Sequence, residues 1–121
     1  MVFGTMGGDQ QDQWTSQFLL NRVLFKMSVQ EAIEAPKITF DHSPAIFYPH
    51  DAFPKRVRLE GRIPNTVVDQ LNGRGHLAEL QSDWVAGFIC AVARNEEGCL
   101  EVGADPRGNK ASVFPACALA W

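Results

Sequence analysis

The sequence predicts an α+β domain in which helices pack on a largely antiparallel sheet. In the early part of the chain, apolar residues recur at spacings of three and four, as they do on a helix. Later segments alternate apolar and polar residues, as strands with one solvent-exposed face do. The turn sequence Asn95-Glu96-Glu97-Gly98 separates two of these later segments and indicates an antiparallel hairpin.

Three helices are expected. They cover Trp14 to Met27, Val29 to about Ala35, and Pro64 to about Gly73. Apolar side chains are spread over most of the circumference of the first helix, which predicts burial against more than one layer. Ser28 and Glu31 form a capping box at the start of the second helix, and Pro36 ends that helix. The third helix carries a single apolar stripe.

Short strands are expected after the second helix. They cover Lys37 to Phe40, Ala45 to Tyr48, Arg56 to Glu60, Leu77 to Leu80, Trp84 to Ala93 and Cys99 to Gly103. We expect the second of these to be the hairpin partner of the first. Trp84 to Ala93 is a long apolar run and is typical of a central strand covered on both faces, with Cys90 as a buried thiol. The apolar tail, Ala111 to Trp121, predicts docking onto another surface.

Composition excludes several classes of protein. The 121 residues suffice for one small domain, and their hydrophobic fraction of 45 % is ordinary for a globular chain. A net charge of −3, with no long run of like charges, argues against nucleic-acid binding. The basic cluster Lys55-Arg56-Val57-Arg58 alternates and predicts the solvent face of a strand. No apolar run is long enough for a membrane span, and Met1-Val2-Phe3 does not begin a signal peptide.

The cysteines and histidines do not indicate a metal or cofactor site. Three cysteines are an odd number without CxxC spacing, which argues against a disulfide framework or a zinc site. The three histidines, His42, His50 and His76, lack ligand spacing and are expected on the surface or in turns. Unpaired cysteines slightly favour a cytoplasmic location, and a periplasmic or secreted one stays open.

The glycine turn, Gly4-Thr5-Met6-Gly7-Gly8-Asp9, comes directly before the first helix. Glycine allows positive φ and close approach, and a helix start offers unpaired N–H groups. Together they predict a cradle for a carboxylate, a phosphate or a developing oxyanion. We expect Asp9 to cap the helix. The turn is neither a Walker A loop nor a dinucleotide fingerprint, and on local pattern alone a simple tight turn into a helix is favoured over an anion site.

Two further stretches accompany the glycine turn. They are Glu31-Ala32-Ile33-Glu34-Ala35-Pro36 at a helix end and Gly103-Ala104-Asp105-Pro106-Arg107-Gly108 far downstream. In this order the three stretches resemble the γ-glutamyltransferase (γ-glutamyltranspeptidase) family. There a G-x-x-G-G motif opens a helix that leads to an E-A-φ-x-A-P-R pattern, and a G-A-x-D-P-R-like motif lies near the C-terminus. The resemblance covers nearly the whole chain.

The resemblance implies part of an N-terminal nucleophile hydrolase, a stacked αββα sandwich whose precursor cuts itself. In that family the freed threonine attacks a γ-glutamyl carbonyl, for example of glutathione, and the acyl group passes to water or an amine. The glycine pair contacts the oxyanion, so Gly7 and Gly8 are the implied catalytic and substrate-binding residues. The implied partners are the γ-glutamyl substrate, the large subunit and the N-terminal part of the small subunit.

The chain also departs from the family pattern. The nucleophilic threonine of the family lies well upstream of the glycine pair, and Thr5 inside the turn cannot replace it. The substrate-holding arginine of the large subunit is absent, and Lys37 replaces the usual arginine after Pro36. We therefore expect residues 1–121 to be a single C-terminal domain with an oxyanion element and no nucleophile, inactive and self-associating when isolated.

The alternative is a non-catalytic module that binds a small anion at the glycine turn or packs against a protein partner. Neither reading gives the other motif residues a catalytic role. Asp105 and Arg107 are expected to pair and fix their loop, and the three tryptophans, Trp14, Trp84 and Trp121, are expected in the core or at an interface.

Overall fold

The computed structural model describes residues 1–107. Within them lie six strands, three α-helices and a short 3-10 helix at Gly8–Gln10. The elements are β1 (Val2–Gly4), α1 (Gln11–Val23), α2 (Val29–Glu34), β2 (Ile38–Phe40), β3 (Arg56–Leu59), α3 (Asn65–Gly73), β4 (Leu77–Leu80), β5 (Cys90–Arg94) and β6 (Leu100–Ala104). The predicted α+β class is confirmed. The apolar tail and its predicted docking lie outside the described residues.

The strands form two three-stranded sheets. The first has the order β1-β5-β6 and is antiparallel throughout, with Val2 opposite Val92 and Val92 opposite Val102. The second has the order β2-β3-β4, in which β2 and β3 are antiparallel and β3 and β4 are parallel. Three of the four strand pairs are therefore antiparallel, as the sequence predicts.

The core lies between the β1-β5-β6 sheet and helices α1 and α2. Its fully buried members include Phe18, Ile33 and Ile89, with Ala91 and Ala93 on the inner face of β5. Small side chains on that face allow the helices to approach the sheet closely. This packing fixes the position of the glycine turn, which connects β1 to α1.

Helix α1 is shorter than predicted, and only one of its faces is buried. It ends at Val23, and its Trp14 and Phe18 enter the core. The apolar residues that suggested a second covering layer are exposed among the described residues: Leu19, Leu20, Val23, Leu24 and Phe25. Within residues 1–107 these side chains remain exposed, so the predicted burial of α1 against more than one layer is not observed there.

Helix α2 begins as predicted. Ser28 Oγ accepts a hydrogen bond from Glu31 N, and Glu31 Oε2 accepts one from Ser28 N at 2.8 Å. This capping box satisfies two backbone donors that the helix leaves unpaired. Helix α3 starts at Asn65, one residue after the proline that predicted its start, and none of its residues is fully buried.

Two strand predictions are wrong. The antiparallel partner of β2 is β3, and Ala45 to Tyr48 belong to a long connection without strand structure. In the apolar run that begins at Trp84, strand structure starts only at Cys90, because Trp84 and Gly87 have φ angles of +59° and +91°. Strand β5 is central in its sheet, but its residues alternate between buried and exposed, so the Cys90 thiol is exposed.

Helix length and polarity in residues 1–107 rule out a membrane-spanning helix there. The described part of the chain also has no group of three or more metal-ligating side chains that could hold an ion.

Candidate functional site

The glycine turn has positive φ at both residues of its centre, and at Gly7 the backbone is one that only glycine accepts. Gly7 has φ +139° and Gly8 has φ +56°. A Cβ on Gly7 would lie 2.3 Å from Cζ3 of Trp14, far inside van der Waals contact. None of the hydrogen bonds among residues 1–107 uses the N–H of Gly7 or Gly8 as its donor. The turn therefore presents two adjacent backbone donors at the start of α1.

Neighbouring contacts hold this turn. Gln10 N donates to Gly7 O at 3.2 Å and begins the 3-10 helix. Thr5 Oγ1 accepts a hydrogen bond from Phe88 N at 3.1 Å and donates to Met6 O at 2.8 Å. The Thr5 hydroxyl thus ties the turn to the segment before β5.

Asp9 does not cap a helix, contrary to the prediction. Neither the 3-10 helix nor α1 has a side-chain cap, and Asp9 Oδ2 accepts a hydrogen bond from Ile46 N at 2.8 Å. Ile46 belongs to residues 41–55, which we call the aromatic loop. The acidic side chain is used to fix that loop beside the turn. Another loop residue, Phe47, brings its Cε2 to 3.1 Å from the position of a Cβ on Gly8.

A cleft of about 350 Å³ lies between the aromatic loop, β3 and the start of α1. Asp41 Oδ2 accepts from Arg56 Nε at 2.8 Å and from Arg58 Nε at 2.6 Å, and its Oδ1 accepts from Arg58 Nη2. The Arg56 guanidinium stacks 3.6 Å from the centroid of the Phe53 ring. Arg56 and Arg58 are partly exposed and alternate with buried Val57 and Leu59, as the sequence predicts for the outer face of a strand, and both pair with an acid.

A buried charge network lies at the C-terminal end of α2. Its four members are each at most 2 % exposed: Lys37, Glu60, Asp105 and Arg107. Arg107 binds both oxygens of Glu60, with Nε–Oε1 at 2.8 Å and Nη2–Oε2 at 2.7 Å. Arg107 Nη1 also donates to Asp105 Oδ1 at 2.9 Å. The predicted Asp105–Arg107 pair is confirmed, as one edge of a larger network.

The network also satisfies the last carbonyl groups of α2, which have no partners within the helix. Arg107 Nη1 and Lys37 Nζ both donate to Ile33 O, at 3.0 and 2.6 Å. Arg62 Nη2 donates to Glu34 O at 2.6 Å and to Glu60. Positive groups at this end are favoured by the helix dipole.

Burial and charge shift the pKa values inside the network. Loss of hydration lowers the pKa of Lys37 to about 8, despite the attraction of Asp105. Burial alone would raise the pKa of Glu60, but hydrogen bonds from Arg107 and Arg62 outweigh it and lower that pKa. For Arg107, burial alone would lower the pKa, but the hydrogen bonds that it donates to Glu60 and Asp105, and their negative charges, outweigh burial and raise the pKa.

The segment Val85–Ile89 joins the network to the glycine turn. Val85 N donates to Glu60 Oε1 at 3.1 Å, and Ile89 N donates to Asp105 Oδ2 at 3.4 Å. Between them, Phe88 N donates to Thr5. Two backbone N–H groups of this segment thus bind the network, and a third binds the loop that carries Gly7 and Gly8.

Sequence reasoning missed several members of this arrangement. Glu60 is fully buried although it follows an alternating strand. The only feature of the sequence that could have indicated a buried ion pair is the two arginines at positions 58 and 62. Trp84 is half-buried under Arg62, whose Cζ lies 3.5 Å from the ring centroid. Trp14 is in the core, as predicted, and Trp121 lies outside the described residues.

The three histidines lie at the surface or in turns, as predicted, and Gly7 and Gly8 lie in the turn before α1. His42 and His50 are exposed in the aromatic loop, and His76 is partly exposed just before β4. The two glycines, adjacent in sequence, lie in the turn that leads through the 3-10 helix into α1, and their role in an oxyanion hole stays a prediction.

Comparison with known proteins gives the family. The family model described as gamma-glutamyltranspeptidase matches residues 1–114. The chain is 31 % identical over 115 residues to the glutathione hydrolase-like YwrD proenzyme of Bacillus subtilis, covering 93 % of this chain and 21 % of that protein. It is 30 % identical over 115 residues to the oxamate amidohydrolase proenzyme of Klebsiella pneumoniae, with the same two coverages.

A solved structure agrees with this match. The structure of LmbA2991T421A has a TM-score of 0.80 and 41 % identity, over 88 % of this chain and 19 % of that one. The chain spans about a fifth of the length of these relatives. The sequence and the fold together show that this chain belongs to the γ-glutamyltranspeptidase family of N-terminal nucleophile hydrolases.

Proposed function

We propose that residues 1–121 form a C-terminal domain of an amide-hydrolysing or acyl-transferring enzyme, and that Gly7 and Gly8 form its oxyanion hole. The observation that carries this proposal is the pair of adjacent N–H groups with no acceptor among the described residues. A donor that is already oriented toward developing negative charge lowers a barrier by ~3–4 kcal/mol. The α1 dipole favours negative charge at the same place.

The nucleophile has to come from another part of the enzyme. The Thr5 hydroxyl is hydrogen-bonded to Phe88 N and Met6 O, and Thr5 lies within the chain rather than at a processed N-terminus. We therefore propose that the 121-residue chain alone is inactive and that an N-terminal threonine outside it attacks the substrate carbonyl.

The rest of the enzyme is also the proposed protein partner. The face of the β1-β5-β6 sheet that points away from the helices carries Val2, Val92 and Leu100, all exposed among the described residues. Exposed apolar faces of this kind mark interaction surfaces. In an αββα sandwich, the opposite sheet, supplied by the rest of the enzyme, would cover these side chains.

The proposed substrate is an amide, with a γ-glutamyl group such as that of glutathione as the first candidate. One relative is named as a glutathione hydrolase-like proenzyme and the other as an oxamate amidohydrolase, so the acyl group is the part to test. Both names describe hydrolysis, and transfer to an amine is the competing outcome for the same acyl-enzyme.

The test uses the full-length protein that contains this sequence, assayed with γ-glutamyl p-nitroanilide and with oxamate. Gly8→Ala would place a Cβ against Phe47 and move the N–H, so kcat should fall at least about tenfold. Complete loss of an oxyanion donor would cost more, ~10²–10³. Gly75→Ala is the matched control, because Gly75 also has positive φ but has open space around it. Equal kcat in the two self-processed variants would contradict the oxyanion assignment, and turnover by residues 1–121 alone would contradict their inactivity.

The alternative function is anion binding without catalysis, and the same two free N–H groups favour it. Anion binding alone predicts that the full-length protein lacks amidase activity. It also predicts that the NMR resonance of the Gly8 amide shifts when phosphate or acetate is added.

A further inference from the structure

We propose that Phe47 forms an apolar wall beside the oxyanion turn and selects amide substrates with an apolar group next to the scissile carbonyl. This inference rests on the proposed function of Gly8. Three features of the molecule support it: the order of the aromatic loop, its attachment to the turn, and the exposure of its tip.

The tip of the aromatic loop is held by its own hydrogen bonds. Ala45 N donates to Asp51 O at 2.9 Å, and His50 N donates to Phe47 O at 2.8 Å. The His50 ring closes the tip further, with Nδ1 2.8 Å from Ala45 O. The base is fixed by Phe53 N, which donates to Asp41 O. A loop with this many internal bonds keeps its side chains in defined positions.

The loop is attached to the residue that follows the glycine pair. Asp9 Oδ2 accepts from Ile46 N, so the loop and the glycine turn are linked one residue away from both Phe47 and Gly8. The Phe47 ring lies against the Cα of Gly8, with Cε2 3.1 Å from where a Cβ would be. The ring therefore lies beside the residue that carries the proposed oxyanion N–H.

Within the described residues 1–107, the remainder of that ring is exposed. Phe47 is 69 % exposed, although one edge touches Gly8. The charged neighbour, Asp9, turns its Oδ2 toward the backbone N–H of Ile46. Covering an exposed aromatic ring with an apolar group removes apolar surface of both from water. Apolar substituents should gain from this contact, and polar ones should not.

The apolar group could belong to the acyl part or to the amine part of the amide, and the experiment has one arm for each. The full-length, self-processed enzyme is assayed with phenylacetyl methylamide against acetyl methylamide, and with acetyl 2-naphthylamide against acetyl methylamide. Phe47→Ala should lower kcat/KM about tenfold for the aromatic substrate of at least one arm and less than twofold for acetyl methylamide. Phe47→Leu, which keeps an apolar wall, should retain most of the preference.

Tyr48→Ala is the matched control, because Tyr48 is 91 % exposed on the same tip and has no contact with Gly8. It should leave all ratios unchanged. A uniform loss for every substrate in Phe47→Ala, or no change in the ratios, would overturn the inference. If Phe47→Ala does not mature, Phe47→Gln replaces it, with the same expected loss of preference. A wild-type enzyme that hydrolyses γ-glutamyl p-nitroanilide but no member of the panel would also overturn the inference. A wild-type enzyme inactive on all of these substrates would instead refute the proposed function.

Discussion

Glu60 and Arg107 show what a single residue contributes to this fold. The Glu60 carboxylate accepts hydrogen bonds from two arginines and two backbone N–H groups, so both of its oxygens are satisfied. Removal of one partner from such a pair leaves an uncompensated buried charge, which costs about 3–5 kcal/mol. The network therefore contributes chiefly by fixing one arrangement of α2, the segment before β5 and the end of β6.

Lys37 gives the network a measurable pH dependence. Its pKa is lowered to about 8 by burial, whereas an unfolded lysine titrates near 10.5. Between these pH values the unfolded state binds more protons than the folded state, so Lys37 makes the folded state relatively more stable as pH rises through this window. Below pH 8 the folded state bears the full cost of a buried ammonium, on the order of 3 kcal/mol.

The predicted experiment compares wild type with Lys37→Met at pH 7.5 and at pH 10.5. The wild-type free energy of unfolding, minus that of the variant, should increase with pH. Groups that titrate in both proteins cancel in this difference. Chemical denaturation of the full-length protein measures it, and Lys26→Met, at an exposed position, is the control that should show no such trend. A difference that is constant over the pH range would show that Lys37 is not buried as a charged group.

At the scale of elements, α2 is short but fixed at both ends. The capping box satisfies donors at its start, and Arg107, Arg62 and Lys37 satisfy carbonyl groups at its end. A six-residue helix has little intrinsic stability, so these end contacts and its buried residues determine whether it forms.

Ser28→Ala should therefore lower the free energy of unfolding by ~1 kcal/mol, the usual cost of losing an N-cap. Ser16→Ala is the control, because Ser16 is exposed in the middle of α1, where alanine is a better helix former. Thermal unfolding of both variants measures the difference. Equal melting temperatures would mean that the capping box does not limit α2.

The sequence predicts those elements whose determinants are local. The capping box, the hairpin turn before Cys99 and the alternation of β3 each depend on neighbours in sequence, and each is found in the structure. The run from Trp84 is different, because side chains distant in sequence, Glu60 and Asp105, bind its backbone N–H groups and hold it out of strand geometry. The buried Glu60 and the contact of Phe47 with Gly8 are equally non-local, so composition and periodicity could not reveal them.

At the scale of the whole molecule, the described residues leave two apolar surfaces open. One is the outer face of the β1-β5-β6 sheet around Val2 and Val92, and the other is the far side of α1 and the residues after it. Leu24 and Phe25 are about two-thirds exposed there, at 65 % and 67 %. The chain spans about a fifth of the length of its relatives. Under the proposed function, other layers of the complete enzyme would cover these surfaces.

Residues 1–121 expressed alone should therefore self-associate, and light scattering after size-exclusion chromatography should give a mass above that of the 13.4 kDa monomer. Because the association buries apolar surface, Leu24→Lys with Phe25→Lys should shift the mass toward the monomer. Gln70→Lys on α3 adds a charge at an exposed polar position and should leave the mass unchanged. A wild-type chain that is monomeric at tens of micromolar would contradict the argument, since these surfaces would then tolerate water without a partner layer.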